Sequence, residues 1–195
     1  MDTATIIPSH EPSAISRLSA ALETELAARG AALRPVVFAC IGTDRSTGDS
    51  LGPLVGQKLA RLGLGDEAVV GTLEEPLHAL NMAERLQPLV SSPSRPLVIA
   101  VDAALGRLAS VGTVAVRGGG IRPGQGVGKD LPEIGELSVI GTVNIQSAGL
   151  DAQVLQSTRL YLVQQMADLI ATSCWWALRT ARREQAPPLR VVRAA

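Results

Sequence analysis

Two short, unbroken apolar runs constrain this chain more than any other feature: VVFACIG at 36–42 and LVIAV at 97–101. Neither alternates polar with apolar residues, so neither suits a sheet with one wet face. Runs of this kind form strands covered on both sides, as in parallel sheets with helices packed on each face. Around them the apolar period is that of a helix. Ile15, Leu18, Leu22 and Leu26 predict a helix over 13–29 that stops at Gly30. Leu51, Val55, Leu59 and Leu62 predict a second. Further strands are expected over 69–73, 111–116 and 137–143, a helix over 77–89 starting after Pro76, and one long helix over 151–182. The alternation predicts a three-layer α/β/α sandwich with a mostly parallel, mixed sheet. It reads as one domain over 1–195, with its core at about 36–178, a flexible N-terminal segment and a frayed C-terminal tail.

Composition narrows the function classes. Hydrophobic residues make up 46% of the 195 and charged residues 18%, a folding composition. Basic and acidic residues number 18 each, so net charge offers no attraction to nucleic acid or to an anionic membrane. The apolar stretch 166–178 is interrupted by Asp168 and is too short to span a bilayer. The N-terminus lacks the basic start and apolar core of a signal peptide, and a cytoplasmic protein is expected. Cys40 and Cys174 both fall among apolar residues and read as small buried hydrophobes, with no disulfide framework. Trp175 and Trp176 read as one core residue and one at a surface or subunit contact, which leaves a homo-oligomer open.

In open α/β sheets, ligands gather at the carboxyl ends of the strands. Here those ends carry Gly42-Thr43-Asp44-Arg45-Ser46-Thr47-Gly48-Asp49, then Glu74-Glu75-Pro76, then Asp102, then Asn144. Carboxylates thus recur at three of four strand ends. Asp49 and Asp102 are the sharpest pair, because each sits at an element boundary where the backbone is held. Two neighbouring carboxylates cannot both ionise cheaply, so they share a proton, and one can then act as base while the other acts as acid. With Glu74 or Glu75 added, the same pocket can hold one divalent metal through oxygen ligands. The cofactor is therefore none or one such ion. Against this stand ordinary structural uses: Asp49 or Ser50 as a helix cap, and Asp102 as a turn cap after its strand.

Asp44, Arg45, Glu74, Glu75, His78, Lys129 and Asn144 are the expected substrate-binding residues. Lys129 belongs to a Gly-rich segment, 117–135, of a length that is usually functional or mobile. His78 follows Glu-Glu-Pro, and a lone histidine near a helix start also has a structural use. The 42–48 loop looks like a phosphate cradle but lacks both the GxxxxGK[ST] and the GxGxxG pattern.

CIGTDRSTGDSLGPLVG (40–56), GTLEEPLHALN (71–81), IAVDAALG (99–106), PGQGVGKDLPEIGELSVIGTVN (123–144) and VLQSTRLYLVQQMA (154–167) together resemble the sporulation protein YyaC family, associated with spore proteases. The resemblance runs over about 36–170, without the N-terminal helix or the C-terminal tail. That family is similar in turn to the germination protease of spore-forming bacteria and, more distantly, to hydrogenase maturation endopeptidases. The resemblance implies a phosphorylase/hydrolase-like α/β/α fold and an endopeptidase acting on a protein or peptide substrate in sporulation or germination, with no nucleic acid and no membrane as partner. Asp49-Ser50-Leu51-Gly52-Pro53 matches the D-A-L-G-P segment that carries one catalytic aspartate in the germination protease. Val101-Asp102-Ala103 matches the I-D-A that carries the other. The hydrogenase peptidases place metal-binding acids at both positions and add a histidine that has no counterpart here. The alternatives are a non-enzymatic sporulation factor that binds a peptide in the same pocket, and a metal-dependent hydrolase of a small molecule.

Overall fold

Both apolar runs are strands, and they lie side by side at the middle of a sheet. In the computed structural model, which describes residues 4–64, 68–122 and 133–183, β2 (Val36–Cys40) pairs in parallel with β4 (Leu97–Gly106). The other strands are β1 (Thr5–Pro8), β3 (Val69–Val70), β5 (Thr113–Gly118) and β6 (Leu137–Ile145). Their order across the sheet is β1-β5-β6-β4-β2-β3. The four strands from β6 to β3 are mutually parallel, and β5 runs against both its neighbours. This is the mixed, mostly parallel α/β architecture the alternation predicts.

Strand parity sends side chains to two faces. Val36, Phe38, Leu97 and Ile99 join one apolar cluster with Leu18 and Leu22 of α1 (Ala14–Ala28), Leu51 and Leu59 of α2 (Leu51–Arg61), and Met166 and Ile170 of α5 (Leu160–Arg183). Val37, Ala39 and Ala100 join a smaller cluster with Met82 and Leu86 of α3 (Met82–Val90). Among the described residues α1, α2 and α5 therefore cover one face and α3 covers part of the other. Both cysteines are buried, and burial pushes the Cys174 thiol up to about 12 and Cys40 further still. They are packing residues. No described helix is long and apolar enough to cross a membrane.

The structure departs from the sequence expectations in five places, each with a tertiary cause. The N-terminal segment is not loose: Thr5–Pro8 forms an edge strand on β5, and Ile7 is fully buried. β4 does not stop at Val101 but continues to Gly106, because β6 pairs with it beyond the end of β2. The strand expected over 69–73 is only Val69–Val70, as Gly71 turns away with φ +99°. α3 starts at Met82 and not at Leu77, since Leu77 is bridged to Ile41 and a turn intervenes. The long helix is two: α4 (Asp151–Gln156) ends before Ser157, and α5 starts at Leu160. The break lies where the Asn144 amide bonds the Val154 carbonyl and the Thr158 hydroxyl, so Val154 no longer accepts a helical bond from the Thr158 N–H.

Candidate active site

The position of Asp49 is dictated by glycines. A Cβ on Gly52 would lie 2.0 Å from the Ile41 carbonyl oxygen, and one on Gly56 would lie 1.9 Å from that of Gly71. These two residues, one helical turn apart, let α2 rest directly on the backbone at the ends of β2 and β3. A 3-10 turn, Gly48–Ser50, leads into α2. Gly42 holds φ +140°, and the Thr43 N–H bonds the Asp49 carbonyl at 3.1 Å, which closes the 43–49 loop on itself. Asp49 is thus anchored by backbone contacts on both sides. It is not a helix cap: no side chain caps α2, and the Ser50 hydroxyl donates instead to the Thr47 carbonyl at 2.7 Å.

Asp102 lies within β4, opposite Ile140 of β6 and on the same face as Val98 and Ala100. Its Oδ1 accepts only the N–H of the next residue, Ala103, at 2.8 Å. With the strand running on, it caps no turn. It opens into a depression of about 490 Å³ bordered also by Arg117, Gly120, Arg122, Glu133 and Ile140. Asp49 is half-buried and stands outside that depression.

The two carboxyls are electrostatically linked. Burial is the main cause that raises Asp102, to about 8; the charge on Asp49 raises it further, and the Ala103 N–H opposes both. Asp49 is also raised by burial, against a lowering hydrogen bond from the Thr43 backbone. Both carboxyls are thus held above their ordinary value mainly by burial, and the charge of one opposes ionisation of the other.

The other expected site residues do not join this pair. Glu75 is exposed and paired with Arg85 at 2.9 Å, and its N–H bonds the Thr72 hydroxyl. Glu74, Asp44 and Arg45 are exposed. His78 shapes the turn before α3: its N–H donates to Asn81 Oδ1 at 2.9 Å and its Nδ1 accepts from the Leu80 N–H. Asn144 ties β6 to α4, as above. Lys129 lies outside the described residues. Among the described residues no three His, Cys, Asp or Glu side chains gather around a common point, so Glu74 and Glu75 do not complete a protein-built metal cage. Conversely, Arg117, Arg122 and Glu133 border the depression without having been expected there. The signal that points to them is the Gly-rich segment itself, whose ends are stapled by the Ile121–Ile134 bridge and by the Gly120 N–H on Glu133 at 2.9 Å.

A mostly parallel α/β sheet with two electrostatically coupled carboxyls at its carboxyl edge is the class of molecule in hand. The family model for a protein of unknown function, DUF1256, matches residues 6–173, and the chain belongs to this family. It is 49% identical over 162 residues, 83% of this chain and 78% of the other, to the uncharacterized protein YyaC of Bacillus subtilis (strain 168). The matched region begins inside β1, so the family likeness reaches further towards the N-terminus than the motifs alone, which start near Val36.

Proposed function

We propose that this protein is a hydrolase of peptide bonds in which Asp49 is the base and Asp102 the acid. The observation that carries the reading is the coupling of two carboxyls at the carboxyl edge of the neighbouring parallel strands β2 and β4, with Asp102 raised to about 8 by burial and further by the charge of Asp49. A neutral acid beside an ionised one is the pairing that water attack on a carbonyl requires. Asp49 takes a proton from the attacking water as its oxygen bonds the carbonyl carbon. Asp102 gives its proton to the carbonyl oxygen; collapse of the gem-diol adduct then breaks the C–N bond, the leaving amine takes the proton held by Asp49, and a gem-diol hydroxyl returns its proton to Asp102, which restores both groups. The substrate is a protein or peptide of the sporulating cell, and the setting is the cytoplasm of a spore-forming bacterium.

The test is incubation of the full chain with proteins extracted from bacterial spores, read by mass spectrometry. Asp49→Asn and Asp102→Asn are each expected to lower cleavage about 10³-fold or more with unchanged circular dichroism. Cleavage that survives both exchanges overturns the reading. A second reading, peptide capture without turnover, is favoured by one observation: His78, Glu75 and Asn144 are all committed to structural bonds, which leaves the pair without auxiliary groups. Binding of spore peptides with no products in the same assay would select it.

A further inference from the structure

The face that carries Asp102 has a second cavity. An apolar groove of about 670 Å³ lies between α3 and the sheet, walled mainly by Met82, Ala83, Leu86, Leu89, Val98 and Ile134. Glu133 borders both this groove and the depression over Asp102, so the two adjoin. Arg117 and Arg122 also border the depression. Both are exposed, and neither forms an ion pair with a described residue. Arg117 is held through its Nε, which donates to the Ser138 hydroxyl at 3.3 Å. An apolar groove and an adjoining depression bordered by Asp102 and two cations thus share one face.

We propose that the groove and the two arginines are the specificity subsites of the Asp102 site, taking an extended peptide with an apolar side chain in the groove and an acidic side chain against Arg117 and Arg122. The proposal rests on Asp102 being the reacting group. Its substrate class follows from complementarity: the groove is apolar enough to hold a Leu- or Met-sized side chain dry, and a guanidinium pairs a carboxylate better than any other partner. Both subsites lie on the same side of the sheet. Side chains of an extended peptide that point to one side are an even number of residues apart, and the proposal takes the shortest such spacing, with one residue between the acidic and apolar positions.

The probes are Ac-Ala-Glu-Ala-Leu-Ala-amide and its reverse-order partner Ac-Ala-Leu-Ala-Glu-Ala-amide, with versions carrying Lys for Glu or Ser for Leu. Binding is measured by calorimetry to the full chain carrying Asp102→Asn, and cleavage by mass spectrometry with the unaltered chain. One of the two orders is expected to bind at least tenfold more tightly than its Lys and Ser versions. Adding Arg122→Glu should reverse the Glu-over-Lys preference. Adding Ala83→Trp, which fills the groove from an exposed position of α3, should abolish the Leu-over-Ser preference. Selective binding without any cleavage keeps the subsites and removes the hydrolase. Cleavage that depends on Asp102 but ignores both peptide sequence and Ala83→Trp keeps the hydrolase and overturns the subsites, as does an absence of binding to every probe.

Discussion

The two faces of the sheet are built from the same strands and do different work. On one, α1, α2 and α5 close over the even, branched surface of β2, β4 and β6, and their apolar residues form one continuous buried cluster. On the other, α3 is the helix that packs on the sheet among the described residues, its cluster is smaller, and beside it lie the groove, the depression and Asp102. The contrast teaches where this fold can keep a costly group. A buried carboxyl that resists ionisation needs low dielectric around it and an opening beside it, and only the thinly covered face supplies both. Stability is concentrated behind the site.

The comparison breaks first at single core positions. Leu51→Ala, on the three-helix face and fully buried, is expected to cost about 3–5 kcal/mol in chemical denaturation. Leu86→Ala, on the α3 face and bordering the groove, should cost about 1–2 kcal/mol, since one side of the side chain already lacks partners. Equal losses would mean that the faces share the load.

A smaller effect sharpens the electrostatic half of the contrast. In the unfolded chain Asp102 ionises near the usual carboxylate value, while in the folded protein it holds its proton up to about 8. Between those limits the folded state binds the extra proton. Stability attributable to this group is therefore full at low pH and is lost as pH rises, with no further change above about 8. Asp102→Asn does not titrate. Its unfolding free energy should match that of the parent near pH 4 and exceed it progressively up to pH 8, by roughly 2 kcal/mol once partial solvation is allowed for. A gap that narrows with rising pH would contradict the burial of Asp102. Activity should follow the same group and fall above about pH 8 as Asp102 loses its proton.

The smallest expected change lies on the surface of the thick face. Lys58 of α2 and Asp168 of α5 are 2.6 Å apart, but Asp168 is 65% exposed. Asp168→Asn should alter stability by no more than about 0.5 kcal/mol, measured in urea, because solvent screens such pairs.

Much of this fold was legible because local chemistry and tertiary context agreed. The runs at 36–42 and 97–101 are apolar at every position because all of β2 and four of the five residues at 97–101 are buried, and the α1 and α2 stripes record the face each helix buries. The aspartates were legible too, as acids that interrupt apolar strand ends. Their roles were not. Asp102 reads as a strand terminator, yet it lies mid-strand, and only the pairing of β4 with β6 past the end of β2 keeps it there. Asn144 reads as a pocket residue, yet its amide is consumed in breaking the helix between Gln156 and Leu160. Thr5–Pro8 carries too few apolar residues to announce a strand, and β5 supplies the ladder that makes it one.

By itself, then, the sequence determined the α/β class, the buried central strands and the two acids, since each of these is written in a single segment as periodicity or as a polar residue among apolar ones. Tertiary structure decided how far Asp102 is raised, which polar side chains are taken up in structural bonds, and which face each helix covers. Those properties depend on distances between segments remote in the chain, and on a desolvation that no segment possesses until the others have packed against it.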